Sequence, residues 1–324
     1  MILEFIRLDE SHTGRYLATK LHETMLKYNL DKSLMLLTQD GAGNCNTTAT
    51  ALSELSVSYK GTVWRGWCAL HIIALVGKMV NSFFCKTYKR KKRTVKVIDG
   101  ADNIEEVSID GAPIEQEEDA EFARLLDEDA AEQEAQLQQV PDAEARDVHD
   151  RAAVSKIKDR AIKEMARKSV VVGAGENKEA LQLYPRICGL ARKVHDSSPI
   201  GAAFEKIVSD DTTIAGQTTA LARRCASRWN SEYDCLNTTL ILREPVKKLV
   251  ADKNLNLKAF KLSERQWSMA EDLRDVLDCV KARTLTFSLR GSTRPLICDV
   301  IPMLEDLLWW FTCSNKIPQS HPGV

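Results

Sequence analysis

A chain of 324 residues with 44% hydrophobic and 28% charged side chains has a globular make-up and room for about two domains of 100–200 residues. Its nine cysteines are scattered, odd in number and without a CxxC pair, which excludes a disulfide framework and suits a reducing compartment. The formal net charge of −1 hides blocks: residues 1–100 carry 15 basic and 8 acidic side chains, 101–150 carry 2 and 18, and 151–324 carry 28 and 20. Two mildly basic segments therefore flank a strongly acidic one, and neither flank is basic enough to prove a polyanion face.

The start, MILEFIRLDE, lacks the cationic-then-apolar order of a secretory leader. The longest apolar stretch, Ala69 to Phe84, carries His71 and Lys78 and falls short of the ~20 residues a membrane span needs. An intracellular protein with no membrane segment is expected.

In chain order, Ile2 to Leu8 reads as a short strand and Ser11 to Gly14 as a turn with capping hydroxyls. Leu17, Leu21, Met25 and Tyr28 then recur at helical spacing. The apolar run from Leu34 ends in Asp40 and predicts a fully buried strand, followed by a Gly-Ala-Gly turn and a helix from Asn44. GTVWRGW (61–67) predicts another strand, leading into the helical run CALHIIALVGKMVNSFF. Strand, helix, strand, helix, strand, helix implies an α/β layer.

Lys86 to Lys96 is a basic run, read either as the solvated positive end of the preceding helix or as a nuclear-import or phosphate-binding patch. Asp99 to Asp150 reads mostly as a solvated, disordered insert or linker; Glu115 to Gln139 could form a helix, though like charges at i,i+4 would repel along it. From Ala152 the pattern is helical over 181–194, 202–208, 231–250 and 262–284, with a last apolar segment over 295–311. Pro245 should end or kink the third of these, and Ser263 with Gln266 forms a capping-box pattern opening the fourth. Residues 314–324 read as a frayed tail.

Three stretches carry chemistry. Asp40, at the carboxyl end of a strand, sits where α/β sheets place ligands and metals; it also suits a turn or a helix cap. Cys68 and His71 have the spacing of half a zinc site, or are a buried thiol and a satisfied histidine on a core helix. Arg228 and Trp229, in SRWNSEYDCL, could pair a phosphate and stack a base, or Trp229 could anchor a helix start in the core. No serine elbow, P-loop or dinucleotide fingerprint is present.

Taken in order, five stretches resemble the central region of a hAT-superfamily DNA transposase: RLDESHTGRYLATKL (7–21), LLTQDGAGNCNTTATAL (36–52), WRGWCALHIIALVGK (64–78), ASRWNSEYDCL (226–236), and LSERQWSMAEDLRDVL with FSLRGSTRPLICDVIPMLEDL (262–277 and 287–307). Their counterparts in that family are a Ser-His-Thr turn, an Asp-Asn-Ala-x-Asn-Asn turn, a Cys-x-x-His helix, an Arg-Trp-Asn-Ser helix start and a Trp-containing helix before an Ile-Pro segment. The resemblance implies an RNase H-like domain interrupted by a helical insertion domain, with a D-D-E triad binding two metal ions for strand cleavage and transfer. Asp40 resembles the triad's second aspartate, although Gly41 follows it where the family has asparagine. The first aspartate is expected on an earlier strand and the glutamate beyond the insertion domain, both outside these residues. Glu264, in LSERQW, falls in the insertion domain.

The implied fold class is α/β plus all-α, a partial RNase H-like mixed sheet interrupted by a mainly helical domain. The implied segments are 1–85 (partial RNase H-like), 86–98 (basic run), 99–150 (acidic insert), 151–313 (helical insertion domain) and 314–324 (tail). The implied function is that of a catalytically incomplete nucleic-acid-binding fragment, using Lys89, Arg90, Lys91, Lys92, Arg93, Arg223, Arg224, Arg228 and Trp229 toward DNA. Mg2+ or Mn2+ would enter only with a complete triad. The basic run implies a nuclear location. One alternative is part of an active transposase. Another is a helical interaction module or oligomer that meets a basic protein partner through the acidic insert.

Overall fold

The computed structural model describes residues 3–10, 12–40, 44–84, 117–139, 143–214, 218–226, 228–288 and 296–313. The amino-terminal part is a small α/β unit. Helix α1 (Gly14–Lys27) is capped by Thr13, whose Oγ1 accepts from the Tyr16 amide at 3.3 Å. Strand β1 (Leu37–Gln39), helix α2 (Asn44–Leu55), a 3-10 turn (Gly61–Trp64) and strand β2 (Arg65–Trp67) follow. The two strands pair in parallel, with Leu37 opposite Arg65, Thr38 opposite Gly66 and Gln39 opposite Trp67. Parallel strands need a crossover, and α2 provides it.

Helices α1 and α2 pack closely because Gly14 has no side chain: a Cβ there would lie 2.5 Å from Thr47 Cβ and 2.8 Å from the Asn44 carbonyl oxygen. Ala18, Met25, Ala49, Leu52 and Tyr59 form the buried centre of this unit, with Leu37 and Trp64 packed against it.

The expected strand at Ile2 to Leu8 is not found. Residues 3–8 have no ladder pairing, and Phe5 is 88% exposed. A strand needs a neighbouring strand for its backbone groups, and among the described residues none pairs with it; the Leu3 carbonyl accepts instead from the Tyr28 hydroxyl at 3.1 Å. The strand before Asp40 is also shorter and wetter than expected, with Met35 77% exposed. Among the described residues β2 is its one neighbour, so the sheet is too small to bury both faces. Gly61 to Trp67 divides into a 3-10 turn and β2.

Helix α3 (Ala69–Asn81) leaves the sheet and joins a larger helical core. That core comprises α6 (Ala174–Asp196), α7 (Ser198–Ser209), α8 (Trp229–Ile241), α9 (Arg243–Ala251), α10 (Glu264–Ser288) and α11 (Leu296–Cys313). Ile73 of α3 is fully buried there among Leu183, Tyr184, Leu236, Leu249, Trp267 and Leu277. The boundary expected near residue 85 therefore does not separate two cores: α3 belongs to the helical one.

Local signals account for the helix limits. Ser263 Oγ accepts from the Gln266 amide at 3.1 Å and Gln266 Oε1 accepts from the Ser263 amide at 3.1 Å, a complete capping box opening α10. The helical pattern over 231–250 divides at Leu242 into α8 and α9, which puts Pro245 in a first turn, where its missing N–H costs nothing.

In the acidic stretch 99–150 the helix that Glu115 to Gln139 allowed is present, but it is packed where a solvated insert was expected. Residues 99–116 lie outside the described residues. Glu117–Gln138 forms α4 and Ala143–Arg167 forms α5. Leu125, Leu126 and Leu137 of α4 and Val154 of α5 are buried. The repulsion along α4 is offset by cations of α6 and of residues 223–224, so tertiary contacts override the local charge pattern.

Candidate functional site

The first locus is the edge at the carboxyl ends of the two strands. Asp40 follows β1 directly, and the Cys68 amide donates to the Gln39 carbonyl at 2.8 Å, which holds the end of β2 beside it. Arg65 Nη2 donates to the Asp40 carbonyl at 2.8 Å, a second nitrogen reaches Asn46 Oδ1, and the guanidinium lies 4.3 Å from the Trp67 ring centroid. The Cys45 thiol donates to Asp40 Oδ1 at 3.3 Å. Asn44 Nδ2 donates to the His12 carbonyl at 3.0 Å, tying the start of α2 to the turn before α1.

Cys68 is the residue before α3, and His71 is one turn into it. Among the described residues no further ligands join Cys68 and His71 in a metal-binding group. The imidazole Nε2 lies 3.4 Å from Asp150 Oδ1 on α5, without hydrogen-bond alignment, while Lys78 Nζ donates to Asp150 Oδ2 at 2.5 Å. His149 Nδ1 is 3.9 Å from the same Oδ1. Asp150, 9% exposed, thus clamps α5 to α3.

The second locus is an open cavity of about 300 Å³ between α3, α4, α5 and α8. Asn81, Asp129, Lys158, Arg228, Trp229 and Glu232 are among its lining residues. Asn81, 2% exposed, links three elements: its Nδ2 donates to Glu232 Oε2 at 2.5 Å and its Oδ1 accepts from Tyr184 Oη at 2.9 Å. Glu232 keeps some exposure as a residue, but its carboxylate is turned inward, and that desolvation pushes its pKa up against the opposing pull of Arg224 and Asn81.

The basic residues expected at a DNA face divide sharply. Lys89, Arg90, Lys91, Lys92 and Arg93 lie outside the described residues, as do Gly41 to Gly43 beside Asp40. Arg223 is paired with Asp196 at 2.8 Å and Glu132 at 3.2 Å. Arg224 is buried against Asp129 of α4. Trp229 is 6% exposed, so its ring is a core element and is not presented for stacking. Arg228 alone of this group is exposed without an ion pair among the described residues, at the mouth of the cavity.

Sequence reasoning missed Asn81, Asp129, Asp150 and Glu232. One signal was available for Asn81, a carboxamide at the end of an apolar helical run, which implies a buried partner.

A two-metal centre needs several carboxylates around ions about 3.5–4 Å apart. Among the described residues no group of three or more His, Cys, Asp or Glu side chains converges in that way, so Asp40 does not fit such a centre with these residues alone. Among them, too, no helix is long and apolar enough to cross a membrane. Comparison with protein-family models, curated proteins and solved structures gave no match.

Proposed function

We propose that the chain corresponds to the central region of a hAT-like DNA transposase and that residues 1–324 bind DNA through cationic surface. The observation that carries this reading is the strand edge. A parallel β-α-β unit delivers Asp40 at a carboxyl end, and the backbone bond from Cys68 to Gln39 brings the Cys-x-x-His helix start to the same edge. That arrangement supports an RNase H-like origin for the two-stranded sheet. Asp40 would then be one acid of a triad using Mg2+ or Mn2+, completed by acids outside the described set.

Within the described residues the binding work falls to Arg228, exposed beside the start of α8. The reading of the acidic stretch as a docking segment for a basic partner is weaker, because Glu128, Asp129 and Glu132 are engaged within the chain. The basic run supports a nuclear location.

Fluorescence anisotropy of the purified chain with labelled duplex and hairpin DNA across a salt series tests the proposal. Log affinity should fall linearly with log salt, and Arg228→Ala should make the slope shallower by about one. Absence of binding at low salt, or binding that ignores salt, overturns it.

A further inference from the structure

Helix α4 carries nine acidic residues and one basic. The acids divide by face. Glu128, Asp129 and Glu132, at i, i+1 and i+4, meet cations from α6 and from residues 223–224. Arg192 Nη2 contacts Glu128 Oε2 at 2.8 Å and its Nη1 contacts Glu132 Oε2 at 3.0 Å. Arg223 Nη2 reaches Glu132 Oε1 at 3.2 Å, Lys193 Nζ lies 3.9 Å from Glu128 Oε2, and Arg224 is buried against Asp129. Asp127 and Glu134 are exposed and make no ion pair among the described residues.

The pairs also divide by depth. Asp129 and Arg224 side chains are each 6% exposed, and Gln136 fixes the register by accepting from the Ala226 amide at 2.8 Å. The outer groups are unevenly covered: Glu128 is 50%, Lys193 43% and Arg223 46% exposed, whereas Arg192 and Glu132 are 13% and 19% exposed. Exposed pairs are weak and exchange with salt, so Lys193 and Arg223 can be released while the buried anchor holds, and Arg192 is freed once its two carboxylate partners are removed.

We propose that Arg192, Lys193 and Arg223 form a polyanion-binding strip and that α4 is its resident occupant, a row of carboxylates standing where nucleic-acid phosphates would bind. The strip rests on the DNA-binding reading above and adds to it an internal competitor. DNA and the outer face of α4 exclude each other on the same three cations, so the chain binds DNA below the capacity of its charge.

The test uses the full chain and labelled duplex DNA over a salt series. Glu128→Gln/Glu132→Gln removes the carboxylate partners of Arg192 and Lys193 and one of the two of Arg223, which keeps Asp196, and leaves Asp129 in place. Asp127→Asn/Glu134→Gln removes the same charge from the opposite face. The first variant should bind about tenfold more tightly at low salt, with a slope steeper by about two, and the second should leave the slope unchanged. Glu128→Gln alone, at a half-exposed site that the fold tolerates, should move affinity the same way by less. Equal gains from both double variants would reduce the effect to bulk charge and overturn the proposal. Wild-type binding that neither double variant changes would make the α4 pairs purely structural, again overturning it while the DNA reading stands. No binding by any form would overturn both.

Discussion

Gly77 of α3 lies against the indole of Trp229 at the start of α8, so close that a Cβ on the glycine would stand 2.6 Å from ring carbon Cε3. The contact explains a glycine in mid-helix, where alanine would otherwise be favoured by about 1 kcal/mol. It also fixes Trp229 as the bolt between α3 and α8. Gly77→Ala should lower stability, because overpacking of about 1–3 kcal/mol exceeds the propensity gain. Trp229→Ala should cost about 3–5 kcal/mol. Urea denaturation checks both; a Gly77→Ala protein as stable as wild type would show that the indole can move aside. Arg228→Ala is accordingly the cleaner probe of DNA contact, since Trp229→Ala would confound binding with unfolding.

The capping box at α10 gives a second, local test. Ser263→Ala should cost about 1 kcal/mol by leaving the Gln266 amide without its acceptor. Gln266→Ala should cost more than a surface substitution, because this side chain, 1% exposed, also donates to the Glu179 carbonyl at 3.0 Å. The two share one reciprocal pair, so the double variant should lose less than the sum. Additive losses in thermal denaturation would mean that the two bonds act independently.

What the sequence revealed follows a physical division between local and distant causes. Ser263 with Gln266 and the break before Pro245 are local, and both lie where the sequence puts them. The docking of α4 was hidden because its cations lie far along the chain: Arg224 is 95 residues from Asp129, and Arg192 is 64 from Glu128. Read locally, α4 is a row of repelling charges. Lys78 and Asp150, 72 residues apart, were hidden in the same way. Asp40 was legible as a strand-end acid, whereas the thin sheet beneath it depends on how many strands pair, which no single strand records.

The buried Arg224–Asp129 pair separates two consequences of one substitution. Asp129→Ala leaves a guanidinium 7% exposed without its carboxylate, and should cost about 3–5 kcal/mol. Replacing both partners, as in Asp129→Leu/Arg224→Met, should recover most of that loss, because desolvating two charges offsets much of their attraction. A double variant as unstable as Asp129→Ala would mean that the pair supplies a specific geometry that apolar packing cannot replace. Neither substitution touches the outer cations of the strip.

Glu232 contributes a pH dependence of its own to stability. Burial raises its pKa above that of the unfolded chain, about 4.3. Between the unfolded and the raised folded value the native state binds the extra proton, so this contribution is full below about pH 4 and is lost as pH rises through the folded pKa. The loss amounts to about 1.4 kcal/mol for each unit between the two values. Glu232→Gln keeps an acceptor for Asn81 Nδ2 and removes the titration. Its stability should match wild type near pH 4 and exceed it at pH 7–8, read by urea unfolding across the range. A Glu232→Gln protein less stable than wild type at pH 7 would show instead that the ionised carboxylate is held by Arg224 strongly enough to outweigh its desolvation, and would reverse the sign of this group's contribution.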